Sequence, residues 1–255
     1  MLISSRYIGA IKASGLHLIG SVAVALLAAA VVFGLWYPFP YSELAGGREL
    51  FLLVIAVDVV CGPLLTLVLF NPSKSRAELW RDLGLVALIQ LVALGYGLHT
   101  VWTARPLYLV LELDRFKLIA APDLEPGALA ALPSALQPKW HAGPQTIGVR
   151  EPNSAQEREK VMFESVQGGR DYAQRPEFYL PYKGAASLKS LERAKPLATF
   201  LEKHPVQQPK ARKLSVEKQT DIAQWFYLPV VARQDWIAVL DKQGQIQGFL
   251  KGDGF

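Results

Sequence analysis

Leu50-Phe51-Leu52-Leu53-Val54-Ile55-Ala56-Val57-Asp58-Val59-Val60-Cys61-Gly62-Pro63-Leu64-Leu65-Thr66-Leu67-Val68-Leu69-Phe70 is apolar from end to end apart from one aspartate and one threonine. At about 1.5 Å per residue a run of this length covers roughly 30 Å, the thickness of a bilayer core. Two further runs of the same kind flank it, at 16–36 and 83–102. A core helix of a soluble protein rarely needs three such runs in succession. The expected membrane domain is therefore residues 1–102, with transmembrane α-helices at 16–36, 50–70 and 83–102. The first run shares its basic leader (Arg6, Lys12) and small residues (Ala28-Ala29-Ala30) with secretory signals. It continues apolar to Trp36 without a break, which favours a retained anchor.

Orientation follows from Lys and Arg in the short loops. The leader carries Arg6 and Lys12, and the loop after the second run carries Lys74, Arg76 and Arg81. The loop after the first run carries only Arg48, beside Glu43 and Glu49. The expected topology has a cytoplasmic N-terminus and an odd number of crossings. Residues 103–255 then lie outside the bacterial inner membrane, in the periplasm. Trp36, Tyr37, Tyr41, Trp80 and Trp102 fall where an aromatic belt would meet the lipid bilayer surface.

Averaged values conceal this division. Over 255 residues the chain is 51% hydrophobic and 19% charged, with mean hydropathy +0.20 and net charge +5. Most of that charge lies after residue 102 and is interspersed. The densest basic stretch, Lys203 with Lys210, Arg212 and Lys213, reads as a solvated segment and implies no nucleic-acid partner. One cysteine excludes an intramolecular disulfide framework, a four-cysteine zinc site and a redox CxxC pair. His17, His99, His141 and His204 are too scattered for a paired-ligand motif, and no P-loop, GxSxG or GxGxxG occurs. No catalytic residue, metal or cofactor is implied, and the chain is not expected to be an enzyme.

The outer segment reads as a periplasmic mixed α/β domain. Alternation from Leu107 to Ile119 predicts one strand, or two with a bend at Asp114-Arg115. Six prolines between 121 and 152 permit only short helical turns, with 127–136 the candidate. Ser154 with Glu157 forms a capping-box pattern for a helix ending before Gly168-Gly169. Further helices are expected at 185–203, kinked before Pro196, and at 215–224. Strands are expected at 226–233, 236–241 and 246–250.

Asp58 is the one formally charged residue inside any of the three runs. It sits about 3 Å from the bilayer centre. An ionised carboxylate at that depth costs about 2.5–3.5 kcal/mol, so the group is expected neutral or hydrogen-bonded inward. By depth along the helices, Tyr96 lies within about 2 Å of Asp58 and Gln90 within about 7 Å, whereas Ser21 lies farther toward the cytoplasm. Gly62 and Thr66 share the helix face of Asp58 at i+4 and i+8, and Pro63 frees the Val59 carbonyl. These residues form a small and polar stripe suited to close helix approach. Three roles stay open for Asp58: tying its own three helices together, receiving a polar group from another membrane helix, or serving a proton or ion path. The turn Trp36-Tyr37-Pro38-Phe39-Pro40-Tyr41 stops the first helix. Trp36, Tyr37, Pro38 and Tyr41 are a plain interfacial anchor or a partner-docking rim.

Together these residues resemble the TfpX/TfpZ family of type IV pilin accessory proteins. The likeness rests on Gly15-Leu16-His17 through Trp36-Tyr37-Pro38, and on Val57-Asp58-Val59-Val60 followed by Gly62-Pro63-Leu64-Leu65-Thr66. In the outer segment it rests on Arg105-Pro106, Asp114-Arg115, Gly143-Pro144, Arg150 before Pro152, and Gly168-Gly169 before Arg175-Pro176. The resemblance implies an inner-membrane accessory or chaperone whose partner is a cognate type IV major pilin, and which modulates pilin stability and pilus assembly. It also implies a pilin held in the membrane on an apolar N-terminal helix bearing an acidic residue. It defines no catalytic residues. The rival reading is a membrane sensor or regulatory subunit with a ligand-binding periplasmic domain.

Overall fold

The computed structural model describes residues 2–255. Within them the chain forms two compact units. One holds the residues up to Pro38 together with Gly47–Thr103, and the other holds Phe39–Gly46 together with Ala104–Phe255.

The first unit contains three long helices. Helix α1 (Leu2–Val31) runs into a π-helical stretch (Val32–Trp36); after α2 (Tyr41–Leu44), which belongs to the second unit, come α3 (Gly47–Leu69) and α4 (Arg76–Thr103). All three long helices are of a length and composition able to cross a membrane. They extend past the apolar runs because polar residues can continue a helix that the apolar ones begin. At α4 the extension is capped: Ser75 Oγ accepts from the Glu78 N–H at 3.2 Å, and the Glu78 carboxylate accepts from the Ser75 N–H at 3.0 Å. The π-helical closure, Tyr37 N–H to Val32 C=O at 2.7 Å, ends the first helix just before Pro38 and Pro40 stop it.

Side chains in this unit are sorted for hydrocarbon rather than for water. Leu26, Leu53, Val68 and Leu91 face outward, while α3 buries Phe51, Asp58, Gly62 and Thr66. Their spacing repeats close to the helical period, so they form one inward face. Where lipid solvates leucine as well as a protein core does, close packing and hydrogen bonds hold helices together instead of apolar burial.

The second unit is a mixed α/β domain built on one eight-stranded sheet. Its strands are β1 (Pro106–Glu112), β2 (Arg115–Ala120), β3 (Gln145–Val149), β4 (Tyr179–Pro181), β5 (Lys195–Pro196), β6 (Phe226–Val231), β7 (Trp236–Leu240) and β8 (Ile246–Lys251). They run in the order β4-β3-β1-β2-β6-β7-β8, with β5 also paired to β6. The β1–β3 and β2–β6 pairs are parallel and the others antiparallel. The bend at Asp114-Arg115 is a tight hairpin turn, with Glu112 opposite Arg115. At 127–136 the helical turn is the short 3₁₀ segment Ala128–Ala131.

Helix α5 (Ala155–Val166) begins as the capping pattern predicts, the Glu157 N–H donating to Ser154 Oγ at 3.1 Å. Two expected helices are corrected. The 185–203 segment splits into α6 (Ala185–Ser190) and α7 (Leu197–Lys203), with β5 between them. Pro196 drives Lys195 into an extended conformation, and Lys195 then pairs with Tyr227. The helix placed at 215–224 is α8 (Gln208–Lys218). Its Pro209 lies in the first turn, where a missing N–H costs nothing, and Gln219 in the left-handed region ends it.

Candidate functional site

The inward face of α3 meets α1 through two matched pairs. The Ser14 hydroxyl donates to the Pro63 carbonyl at 2.8 Å, and His17 Nδ1 lies 2.5 Å from Thr66 Oγ1. Ser14 and His17 are three apart on one helix, as are Pro63 and Thr66 on the other, so each pair shares a face. Facing α4, Gly62 leaves room for the Gln90 carboxamide, which a Cβ at position 62 would overlap. Gln90 lies there because its Nε2 donates to the Asp58 backbone carbonyl at 2.9 Å. Farther along the same contact Gly97 admits Val54, where a Cβ would again collide.

These contacts leave an open cleft of about 260 Å³ between the three helices, lined among others by His17 and Ser21 of α1, Ile55 and Asp58 of α3, and Ala87 and Gln90 of α4. Asp58 is only 8% exposed, and its Oδ1 has no hydrogen-bond partner among the described residues. The Gln90 Oε1 is in the same condition. Two buried oxygens thus lie unpaired beside one cleft, an arrangement native proteins seldom leave without a purpose.

Of the residues singled out in the sequence, Asp58, Gly62, Pro63, Thr66 and Gln90 come together here. Ser21 joins them, although counting depth from the ends of the apolar runs sets it nearer the cytoplasm. Tyr96 does not join, being 75% exposed on the outer surface of α4. It follows Gln90 by six residues, a rotation of about 240° around the helix, and depth alone carries no information about azimuth.

The aromatic turn is divided between the units. Trp36 packs edge-on against Trp102 at 4.8 Å, and buried Tyr37 donates its hydroxyl to the Val101 carbonyl at 2.9 Å, just before Pro38. Tyr41 lies in the second unit against Phe249 at 5.9 Å, and burial pushes its phenol up to about 12.

Three of the residues that carry the resemblance after residue 102, Arg150, Gly169 and Arg175, converge around α5. Arg150 forms a bidentate pair with Glu157 at 2.9 and 3.0 Å and lies over the Phe178 ring. Buried Arg175 reaches Glu164 at 2.5 Å, and the Gly169 N–H donates to the Glu164 carbonyl at 2.8 Å. These residues fasten a helix to the sheet and assemble no reactive constellation. Among the described residues no group of three or more His, Cys, Asp or Glu side chains is placed to hold a metal ion.

Comparison with known proteins adds a relationship. A family model described as fimbrial assembly protein FimB matches residues 5–46. The chain is 36% identical to the fimbrial assembly protein of serogroup I from Dichelobacter nodosus over 257 aligned residues, 98% of each chain. The serogroup E1 protein of the same bacterium matches to the same degree over the same share of both chains. The protein of serogroups C1 and C2 is 43% identical over 119 residues, 47% of this chain and 91% of that relative. No solved structure matches the chain. With two relatives aligned almost from end to end at this identity, the chain belongs to the fimbrial assembly protein family.

Proposed function

We propose that this protein is an inner-membrane accessory, of the TfpX/TfpZ kind, that holds a type IV major pilin in the membrane before the pilin enters the growing fibre. Its action is non-covalent: it binds the pilin, protects it, and hands it to the assembly machinery without chemical change. The observation that carries this reading is the open cleft at Asp58 and Gln90, in a chain related throughout its length to proteins named for fimbrial assembly. A pilin anchored by one apolar helix needs a helix-binding surface within the bilayer, and a face of small residues with hydrogen-bonding groups supplies one. The basic leader and the basic loop after α3 support a cytoplasmic N-terminus and a periplasmic outer domain.

The test is affinity capture of the tagged full-length protein from gently solubilised native membranes, followed by immunoblotting for the major pilin. Recovery of full-length pilin, together with reduced piliation and normal pre-pilin processing in a deletion strain, is the expected result. Absence of pilin from the captured material would overturn the reading.

A further inference from the structure

We infer that the cleft between α1, α3 and α4 is a socket for one positively charged nitrogen, carried into the bilayer by the membrane helix of the bound partner. The inference rests on the accessory reading above and specifies what its intramembrane site recognises.

Size comes first. About 260 Å³ equals roughly nine water volumes at ~30 Å³ each, and falls below the ~300–1,000 Å³ of small-ligand pockets. The cleft has room for a side chain or two, not for a helix, so the bulk of the partner stays in lipid alongside it.

Polarity comes next. Donation to the Asp58 carbonyl uses one Nε2 hydrogen and fixes the orientation of the carboxamide, whose Oε1 can only accept and has no partner among the described residues. Asp58, once ionised, is acceptor-only through both of its oxygens. The Ser21 hydroxyl, which can also accept, lies on the third wall. Among the lining residues His17 is the one with cationic potential, and its Nδ1 is engaged by Thr66. Unpaired acceptors around one small space call for a group with several donors and no acceptor, which describes an ammonium or a guanidinium.

Charge then limits the source. No Lys or Arg occurs between Lys12 and Arg48, between Arg48 and Lys74, or between Arg81 and Arg105. A second copy of this chain therefore brings no fixed cation to the depth of Asp58. Lipid amine headgroups lie at the bilayer surface, far from a group near the midplane. A partner helix bearing its own cation remains, and each charge then removes the cost of burying the other.

The experiment uses the full-length protein in native membranes, with a photo-crosslinking residue at Ala25 or Ala87 in the cleft and at Leu53 on the outward face as a control. Adducts with the pilin are expected from the cleft positions and not from Leu53. Peptide mapping should place them beside a Lys, an Arg or the amino-terminal nitrogen of the pilin helix. Asp58→Asn keeps the shape and removes the charge, and should lower pilin recovery by about tenfold or more. Asp58→Glu should stay within about threefold of the parent, which guards against simple misfolding. Pilin recovered undiminished with Asp58→Asn, or crosslinked only from Leu53, overturns the socket while leaving the accessory reading intact. Pilin missing from every sample, the parent included, overturns both.

Discussion

Leu113 has φ 55° and is 78% exposed at the turn that joins β1 to β2. Hairpins give that kind of position to glycine or asparagine, because a β-carbon there costs about 1–2 kcal/mol. Leu113→Gly should therefore stabilise the mixed α/β domain despite the added freedom of the unfolded chain. A rise of about 2 °C in the melting temperature of the full-length protein is expected, and a fall would show that the leucine is held by contacts that outweigh its backbone strain. Glu157 provides a pH test at the same scale. The Arg150 guanidinium, helped by the Asn153 N–H, holds its carboxyl at about 2 against an ordinary 4.5. A folded-state value below the unfolded one stabilises the fold above about 4.5, and that contribution is lost as the pH falls toward 2. Protection of the amides at the start of α5, taken relative to the intrinsic exchange rate at each pH, should fall across that window, and Glu157→Gln should remove that fall. Protection that stays flat from 5 to 2 in the parent would contradict the role given to Arg150.

Helices that announce themselves by composition are legible in the sequence alone, and so is α5, because Ser154 and Glu157 are local signals for a local event. The equally local box of Ser75 and Glu78 lies ahead of the apolar run, which begins only at 83, several residues after the helix itself does. Strands β3 and β4 were hidden for another reason. They are short, lie among prolines, and exist because β1 offers an edge to pair with, which no local pattern records. The candidate site was half legible: residue spacing on α3 put Asp58, Gly62 and Thr66 on one face, but nothing in the sequence orients α4 about its axis. Gly62 now supplies that orientation, because the Gln90 carboxamide occupies the space its missing side chain leaves. Gly62→Ala should push Gln90 off the Asp58 carbonyl and cost about 1–3 kcal/mol by overpacking. Thermal unfolding of the purified full-length protein measures this, and a parental melting temperature would mean that α4 shifts freely. At the opposite end of the stability scale, Ser154→Ala should cost about 1 kcal/mol through loss of the α5 cap.

Taken as a whole, the molecule does not divide where its hydropathy does. Phe39–Gly46 is written between the first and second long apolar helices, yet it belongs to the compact unit that holds the sheet. Leu44 is fully buried there with Leu109, Phe116, Leu228 and Trp236, and its carbonyl accepts the Arg233 N–H at 3.0 Å. Gly46, at φ +70°, lies so close to the Arg233 side chain that any β-carbon would collide with it. Phe39 and Tyr41 add ring contacts to Trp236 and Phe249. A sequence reading that counts spans assigns this segment to the membrane surface, because its aromatic residues suit that surface and its long-range partners begin some sixty residues later. The consequence concerns folding order. The sheet cannot complete its core until chain that precedes the second and third spans is available to it, so β6 and β7 close upon a segment made long before them. Leu44→Ala should accordingly destabilise the mixed α/β domain by about 2–5 kcal/mol, as much as Leu228→Ala in the middle of the sheet. A chain beginning at residue 104 should behave as though it carried a larger lesion, melting earlier and being cleaved faster by protease than the same domain of the full-length protein. Supplying residues 39–46 at its amino terminus through a flexible linker should restore much of the difference. Equal protease resistance with and without those eight residues would show that the sheet closes its core without them.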